Sequence, residues 1–446
     1  MQTTPGTTSG STAPKRTVSL ILAIILLVVG LGAGIGVGYY GLPARSSSSS
    51  SLCSSGSTIT IGELLDLSST LSSQGVRAKD SSVLAINDIN SMLSASGCSL
   101  RFANSVDDYA QVNQQALTDL TNFHSAGIQV VVGPLNSGAA QFILQYADSN
   151  HIVLISPSST SAALAIPNDY LFRTAPNDAA QGQADARMMV DRGATAAIIV
   201  ERHDTYGDGL ANSTATWFKT DVPGATVDTI QYDTSTTDFT TVISTMQTDF
   251  NTLNTGANTG KVAMDFVAFE EFGQLILQAH TSSYPSFPWT TLPWFGTDGE
   301  AQDAVIVNAT TSGPSVAQVI MPSTLYAPVN NSRTLAFYTR FAQAYPGNYC
   351  DSYCLGTYDD IWLAANAILQ AGANDGTAVQ AVMLTVADNF YGVTGWTGLQ
   401  PSGDRIPSSY QIWKVVNQGS PAKPTWVLAG SWDDATDTIT WIGTPP

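Results

Sequence analysis

Charge is scarce in this chain. Of 446 residues, only 12% are Asp, Glu, Lys or Arg, and the basic ones are the scarcer, leaving a formal net charge of −18. Without a basic stripe there is no electrostatic footprint for nucleic acid. A hydrophobic content of 43% equally excludes a highly charged, disordered chain. The surface must be rich in Ser, Thr, Asn and Gln, which suits either a glycosylated exterior or an acidic medium; composition leaves both open. Histidine is rarer still. His124, His151, His203 and His280 stand apart, in no H-E-x-x-H pattern. No G-x-S-x-G elbow precedes a helix, and the glycines of "GLGAGIGVG" miss the dinucleotide-binding spacing. Asp204 and Asp208 share one turn, whereas paired glycosidase carboxylates face each other across a pocket. The sequence points away from catalysis, and neither a cofactor nor a metal is expected.

Long apolar runs are equally few. One exists, Val18 to Tyr40, uncharged and long enough to cross a bilayer as a helix. Lys15 and Arg16 stand just before it, so the positive-inside rule puts residues 1–16 in the cytoplasm and the bulk of the chain outside. The run exceeds a usual leader core, so residues 17–41 are expected to be an uncleaved anchor more than a removed signal. Gly30, Gly34 and Gly38 repeat every fourth residue, which fits either helix pairing or simple packing tolerance. Residues 42–56, including "ARSSSSSSLCSSGS", read as a flexible Ser-rich tether.

Only four cysteines occur: Cys53, Cys98, Cys350 and Cys354. An oxidising exterior suits two disulfides, with Cys53 and Cys98 each just ahead of a strand signal and Cys350 and Cys354 closing a small loop. Zinc is the competing reading, but the spacing lacks paired ligands and nearby His. Asn212, Asn308 and Asn330 each begin an N-x-Ser/Thr sequon.

From Ser57 onward short apolar runs alternate with amphipathic stretches. "TITIGELL", "SLRFANSVDD", "IQVVVGPLNSG" and "HIVLISPSSTS" read as strands. Between the first two, "GVRAKDSSVLAINDINSML" reads as a helix with Val83, Ile86, Ile89 and Met92 on one side. The rhythm restarts at "TAAIIVERHDTYGDG" and continues through "TVDTIQYD", "MDFVAFEEFG" and "PWFGTDGEAQD". Near-continuous β-branched runs separated by helices predict parallel sheets covered on both faces. Two such blocks predict two doubly wound α/β lobes.

In such sheets ligands lie beyond the carboxyl ends of the strands, and the polar turns fall there. They are Leu135-Asn136-Ser137, Ser158-Ser159-Thr160, Asp204 to Gly207, and Thr297-Asp298. After Pro157 four hydroxyls follow in succession where one helix cap needs only one, and a helix start with spare donors is a ready anion site. Asp298 beside Gly also suits a plain turn. Asp359 and Asp360 in "TYDDIWLAANAIL" read as helix N-terminal acids. Trp289, Trp294 and Phe295 read as core in preference to pocket wall.

Several of these segments, in their order, carry a resemblance. "IGELLDLSSTLSSQGVRAKDSSVLAINDIN", "VVVGPLNSGAA", "VLISPSSTSAAL", "LFRTAPNDAAQGQADARMM", "VERHDTYGDGLA", "WFGTDGEAQ", "YDDIWLAANAI" and "PSGDRIPSSYQIWKVV" together resemble extracytoplasmic solute-binding proteins of ABC importers, of the branched-chain amino acid type. The likeness runs from about Thr58 to the C-terminus. It implies a periplasmic-binding-protein-like type I fold: two lobes, 57–175 plus 327–399 and 176–326 plus 400–446, joined by three crossings and closing on a ligand. It implies Ser137, Ser158, Ser159 and Thr160 as holders of a ligand carboxylate, Asp298 as partner of its ammonium, and Tyr206 as a contact from the other lobe; Asn136, in the same turn as Ser137, is expected among the ligand-binding residues. It implies as partners a small amino acid or amide, an ABC permease and its ATPase. Two departures stand out. Gln74 occupies a position often aromatic in relatives, which makes the side-chain pocket more polar and leaves amides or urea-like solutes open. The shortened turn of "DFVAFEEFGQLI" leaves the pocket roles of Phe269 and Glu270 open. A sensory ectodomain using the same clamshell is the alternative.

Overall fold

The computed structural model describes residues 52–281, 291–308 and 310–445. The expected anchor, the N-terminal part of the tether and Trp289 lie outside them. Among the described residues no helix is long and apolar enough to cross a membrane.

The first half alternates strand and helix as its pattern predicts: β1 (Thr58–Leu65), α1 (Ser72–Ala95), β2 (Arg101–Asp108), α2 (Asn113–Ser125), β3 (Val130–Val132), α3 (Ser137–Asn150), β4 (Val153–Ser156) and β5 (Leu171–Arg173). These strands form one parallel sheet in the order β2-β1-β3-β4-β5. Ile61, Val130, Val132, Val153 and Ile155 are fully buried, as a sheet covered on both faces requires. The inner face of α1 differs from expectation. Val83 and Met92 are exposed, while Ala78, Ala85, Ile86, Ile89 and Leu93 are buried, because the stripe follows small residues that let the helix lie close. Gly75 shows how close: a Cβ there would stand 1.6 Å from the Asp66 carbonyl.

After Arg173 the chain enters a second body: α4 (Asp178–Asp191), β6 (Ala196–Arg202), α5 (Thr205–Asp221), β7 (Thr226–Tyr232), α6 (Thr240–Leu253), β8 (Val262–Val267), α7 (Phe272–Thr281), β9 (Trp294–Gly296), α8 (Gly313–Val319) and β10 (Ser323–Tyr326). It then returns to the first body as α9 (Ser332–Ala344), α10 (Ser352–Ala371), α11 (Gly376–Asp388) and the hairpin β11 (Tyr391–Gly392) and β12 (Gly395–Trp396). Phe337, Phe341, Leu355 and Ile368 from these helices share a core with the first sheet. A last crossing leads to β13 (Tyr410–Gln418), β14 (Lys423–Asp433) and β15 (Thr438–Trp441).

The second sheet runs β15-β14-β13-β10-β9-β8-β6-β7. It is not wholly parallel: β13, β14 and β15 join antiparallel. The connection from β13 to β14 spans only four residues, Gly419 to Ala422, with Gly419 at φ +86. So short a link allows a hairpin but no helical crossover. Trp294 and Phe295 lie in the core, each 1% exposed.

Both disulfides form. Cys53 pairs with Cys98 across 45 positions, and Cys350 pairs with Cys354. The three sequon asparagines, Asn212, Asn308 and Asn330, are exposed.

Candidate functional site

The crossings are stapled by buried charge. Arg173, at the end of β5, binds Asp404 through Nε at 2.7 Å and Nη2 at 2.6 Å, and both side chains are essentially inaccessible. Its remaining amine reaches the carbonyls of Ser159 and Ser161, so the hinge fixes the serine turn directly. Arg405 donates to the Thr174 carbonyl and to Thr394 and Trp396. Asp359 and Asp360 belong to this network and are not helix N-terminal acids. Helix α10 begins seven residues earlier, at Ser352. Asp359 accepts from Val393 and Thr394, and Asp360 from Thr174.

The two serine-bearing turns are tied to each other. Gly133, at φ +104, puts its α-carbon where a Cβ would meet the Leu64 carbonyl at 2.2 Å, so only glycine lets β3 turn this tightly against β1. Asn136 then caps α3, accepting from the Ala139 N–H at 2.7 Å. The Ser137 hydroxyl accepts from the Thr160 and Ser161 N–H groups at 3.1 Å each. Ser158 donates to the Leu135 carbonyl, and Ser156 to that of Pro134. Several of the clustered hydroxyls thus hold backbone to backbone, which sets the start of α3 and its free N–H groups rigidly at the cavity.

That cavity lies beyond the carboxyl ends of the strands and between the two bodies. Its walls are Leu71, Gln74, Leu135, Asn136, Ser137 and Ser158 from the first strand–helix block, Tyr206, Phe269, Asp298 and Gly299 from the second body, and Tyr353 from α10. Six residues expected in the site therefore meet there: Gln74, Asn136, Ser137, Ser158, Tyr206 and Asp298. Ser159 and Thr160 stand behind the wall. Both are buried, and the Thr160 hydroxyl sits beside the Asp178 carboxyl. Phe269 is a wall residue, stacked on Tyr206 at 5.1 Å with the Arg202 guanidinium 3.7 Å above its ring centre. Tyr353, Leu71 and Gly299 had no signal of their own; Tyr353 was visible only as the residue between two half-cystines.

Asp298 is 3% exposed. It accepts from the Tyr206 hydroxyl at 2.7 Å, from Gln181 Nε2 at 2.8 Å and from the Tyr353 hydroxyl. Burial pushes its pKa up, and the hydrogen bonds of Tyr206, Tyr353 and Gln181 pull it back. Burial and then the charge of Asp298 drive Asp178 well above the carboxylate range. The same two causes keep the Tyr206 and Tyr353 hydroxyls protonated. All three of these partners of the Asp298 carboxylate are uncharged.

The bodies meet around the cavity. Helix α1 has no side-chain cap of its own; instead Glu270, from the second body, accepts from the Ser73 N–H at 2.8 Å and from the Ser72 hydroxyl. Asp303 accepts from the Ser73 hydroxyl, and the Gln302 carbonyl accepts from Arg77 and Tyr349. Drawn together in this way, the walls leave about 10 Å³ open to water centres, room for roughly one water. This is a closed cleft.

The profile of the periplasmic binding protein family matches residues 58–420. The chain belongs to this family. The binding protein is 27% identical over 401 residues to an uncharacterised protein, MJ1266, of Methanocaldococcus jannaschii, covering 86% of this chain and 91% of that one. Among solved structures it is similar to a leucine-binding protein LivK of Thermotoga maritima, with a TM-score of 0.71 at 18% identity, covering 85% of this chain and 99% of the other. It also matches LivJ of Streptococcus pneumoniae in complex with isoleucine (TM-score 0.62, 20% identity, 83% and 100% covered). A third match is a solute-binding protein of an R. palustris ABC transporter in complex with benzoate (TM-score 0.65, 17% identity, 87% and 98% covered). The binding protein therefore shares its fold with receptors of amino acids and of aromatic acids alike.

Proposed function

We propose that this cleft captures a small zwitterion, an amino acid of the branched-chain kind, and delivers it to an ABC permease driven by its ATPase. Asp298 carries the reading. A buried carboxylate whose hydrogen-bond partners are all neutral is suited to an ammonium, whose attraction strengthens as closure removes water. Tyr206, Tyr353 and Gln181 stand where ligand N–H donors would come. On the same cavity the start of α3 offers N–H groups to a carboxylate and the Ser137 hydroxyl its hydrogen, while the turn that carries Ser158, Ser159 and Thr160 has its own N–H groups bound to the Ser156 and Ser137 hydroxyls and holds that start in place. Leu71, Leu135 and Phe269 supply apolar wall, and Gln74 one amide, which favours a short side chain.

The lobes are 57–175 plus 327–399 and 176–326 plus 400–446, opening about the Arg173–Asp404 staple to admit ligand. The folded part is extracellular, held to the membrane by residues 17–41 and spaced from it by 42–56, with sequons open to glycosylation. Its fold and its relatives suit binding over catalysis. A thermal-shift screen of the chain against leucine, isoleucine, urea, acetamide and benzoate tests the reading, because a ligand that binds only the folded state raises the melting temperature by mass action. A branched-chain amino acid should give the largest rise. A rise with benzoate or urea and none with any amino acid would refute it.

A further inference from the structure

On the hinge side of the closed cleft lies a second and far roomier cavity, of about 540 Å³, within the size range of small-molecule sites. Its wall brings together Trp413, Trp426, Tyr338, Tyr349 and Leu428. Leu428 and Tyr349 are 38% and 39% exposed, unusual for large apolar side chains gathered in one concave place. Both indole hydrogens of the wall and one of its phenol hydrogens are already committed. Trp426 Nε1 donates to the Asp303 carbonyl at 2.8 Å, Trp413 Nε1 to Gln411 Oε1 at 3.1 Å, and the Tyr349 hydroxyl to the Gln302 carbonyl. The two indoles, Tyr349 and Leu428 therefore present mainly carbon surface to an occupant. Among the described lining residues Asp351 alone is charged. Arg77 neutralises it at 2.6 Å, and its other oxygen caps α10 through the Cys354 N–H. An ionic guest would find no free counter-charge.

Two local features are otherwise without a reason. The β13–β14 register shifts so that Ile412 pairs with Gly430 but Trp413 with Leu428, leaving Ala429 as the extra residue of β14, and such a bulge re-aims side chains of its own strand; here Leu428, beside it, stands in the cavity wall. The Cys350–Cys354 disulfide fixes the opposite wall beside Tyr349. The two walls come from different bodies, β13 and β14 on one side and α9 with the start of α10 on the other.

We propose that this cavity is a second binding site, for an uncharged planar aromatic molecule of one or two rings, bridging the two bodies at the hinge. The proposal does not depend on what the cleft binds. Fluorine NMR of 5-fluoroindole with the full chain in lipid nanodiscs, produced without glycosylation because Asn330 is at the rim, tests it against empty nanodiscs. The chain should broaden the fluorine line in a saturable way. Leu428→Arg puts a charge at the rim with no partner, and should weaken binding by about tenfold or more. Thr425→Trp should do the same by filling the space, and stands in if the arginine variant fails to fold. Broadening no greater than in empty nanodiscs, or unchanged binding in a folded Leu428→Arg or Thr425→Trp chain, would overturn the assignment; the latter result would place the molecule elsewhere, the cleft included.

Discussion

Asp298 keeps its carboxylate among two phenols and one amide, and this local arrangement decides how single substitutions behave. Asp298→Asn keeps the shape and removes the charge. It should cost amino-acid binding about 100-fold, or about 2.8 kcal/mol, as read by calorimetry, while the ligand-free chain melts no lower than the parent because a buried charge has been relieved. Undiminished affinity would remove Asp298 from the site. Arg173 is the second decisive residue. Fully buried, it holds Asp404 and the Ser159 and Ser161 carbonyls together. Arg173→Ala strands the Asp404 carboxylate and should cost about 3–5 kcal/mol in urea unfolding, with affinity falling in the same variant because the serine turn loses its anchor. The pattern of polar turns after strands made Asp298, Ser137, Ser158 and Tyr206 legible beforehand. Arg173, Gln181 and Tyr353 were not, because each acts through a partner distant in sequence, 231 positions away for Arg173, 117 for Gln181 and 55 for Tyr353.

Among the elements, the start of α1 is completed by the opposing body. Leu71 at its N-cap offers no acceptor, and the Glu270 carboxylate takes the place of one. Burial and then the charge of Asp303 push Glu270 up to about 8, against the pull of the Ser73 N–H and the Ser72 hydroxyl. Opening that exposes Glu270 to water should return it toward its ordinary value of 4.5. Closure therefore takes up a proton between those values, and the closed form weakens as pH rises through that window. Asp303 and the buried Asp178 are raised as well, so the informative quantity is the difference between variants. Glu270→Gln should bind ligand with a flatter pH profile than the parent between about pH 5 and 8, measured by titration at several pH values. Superimposable profiles would show that Glu270 does not titrate with closure. The strands and helices of both parallel blocks were readable from β-branched runs and their spacing. The inner face of α1 was misread because small residues, Ala78 and Ala85, carry it where the pattern of large ones suggested Val83 and Met92. The antiparallel β13–β15 end was hidden because a hairpin added to a parallel sheet leaves the same apolar runs with a shorter link.

At the scale of the whole molecule, two α/β bodies share three crossings and close over a cavity whose polar ends differ in sign. The Cys53–Cys98 bridge ties the segment before β1 to the one before β2. Opening it with Cys53→Ser and Cys98→Ser together should lower stability by about 2–4 kcal/mol, seen as an earlier urea midpoint with ligand affinity nearly unchanged, since the bridge is remote from the cleft. A shortened chain meant to keep this stability must start before Cys53. The most direct measurement is a calorimetric comparison of L-leucine with 4-methylpentanoate and isopentylamine, which lack its ammonium and its carboxylate respectively. Leucine should bind, and either deletion should weaken binding by about 100-fold or more, consistent with the loss of charge-assisted hydrogen bonds. Equal affinity for leucine and 4-methylpentanoate would contradict the zwitterion reading.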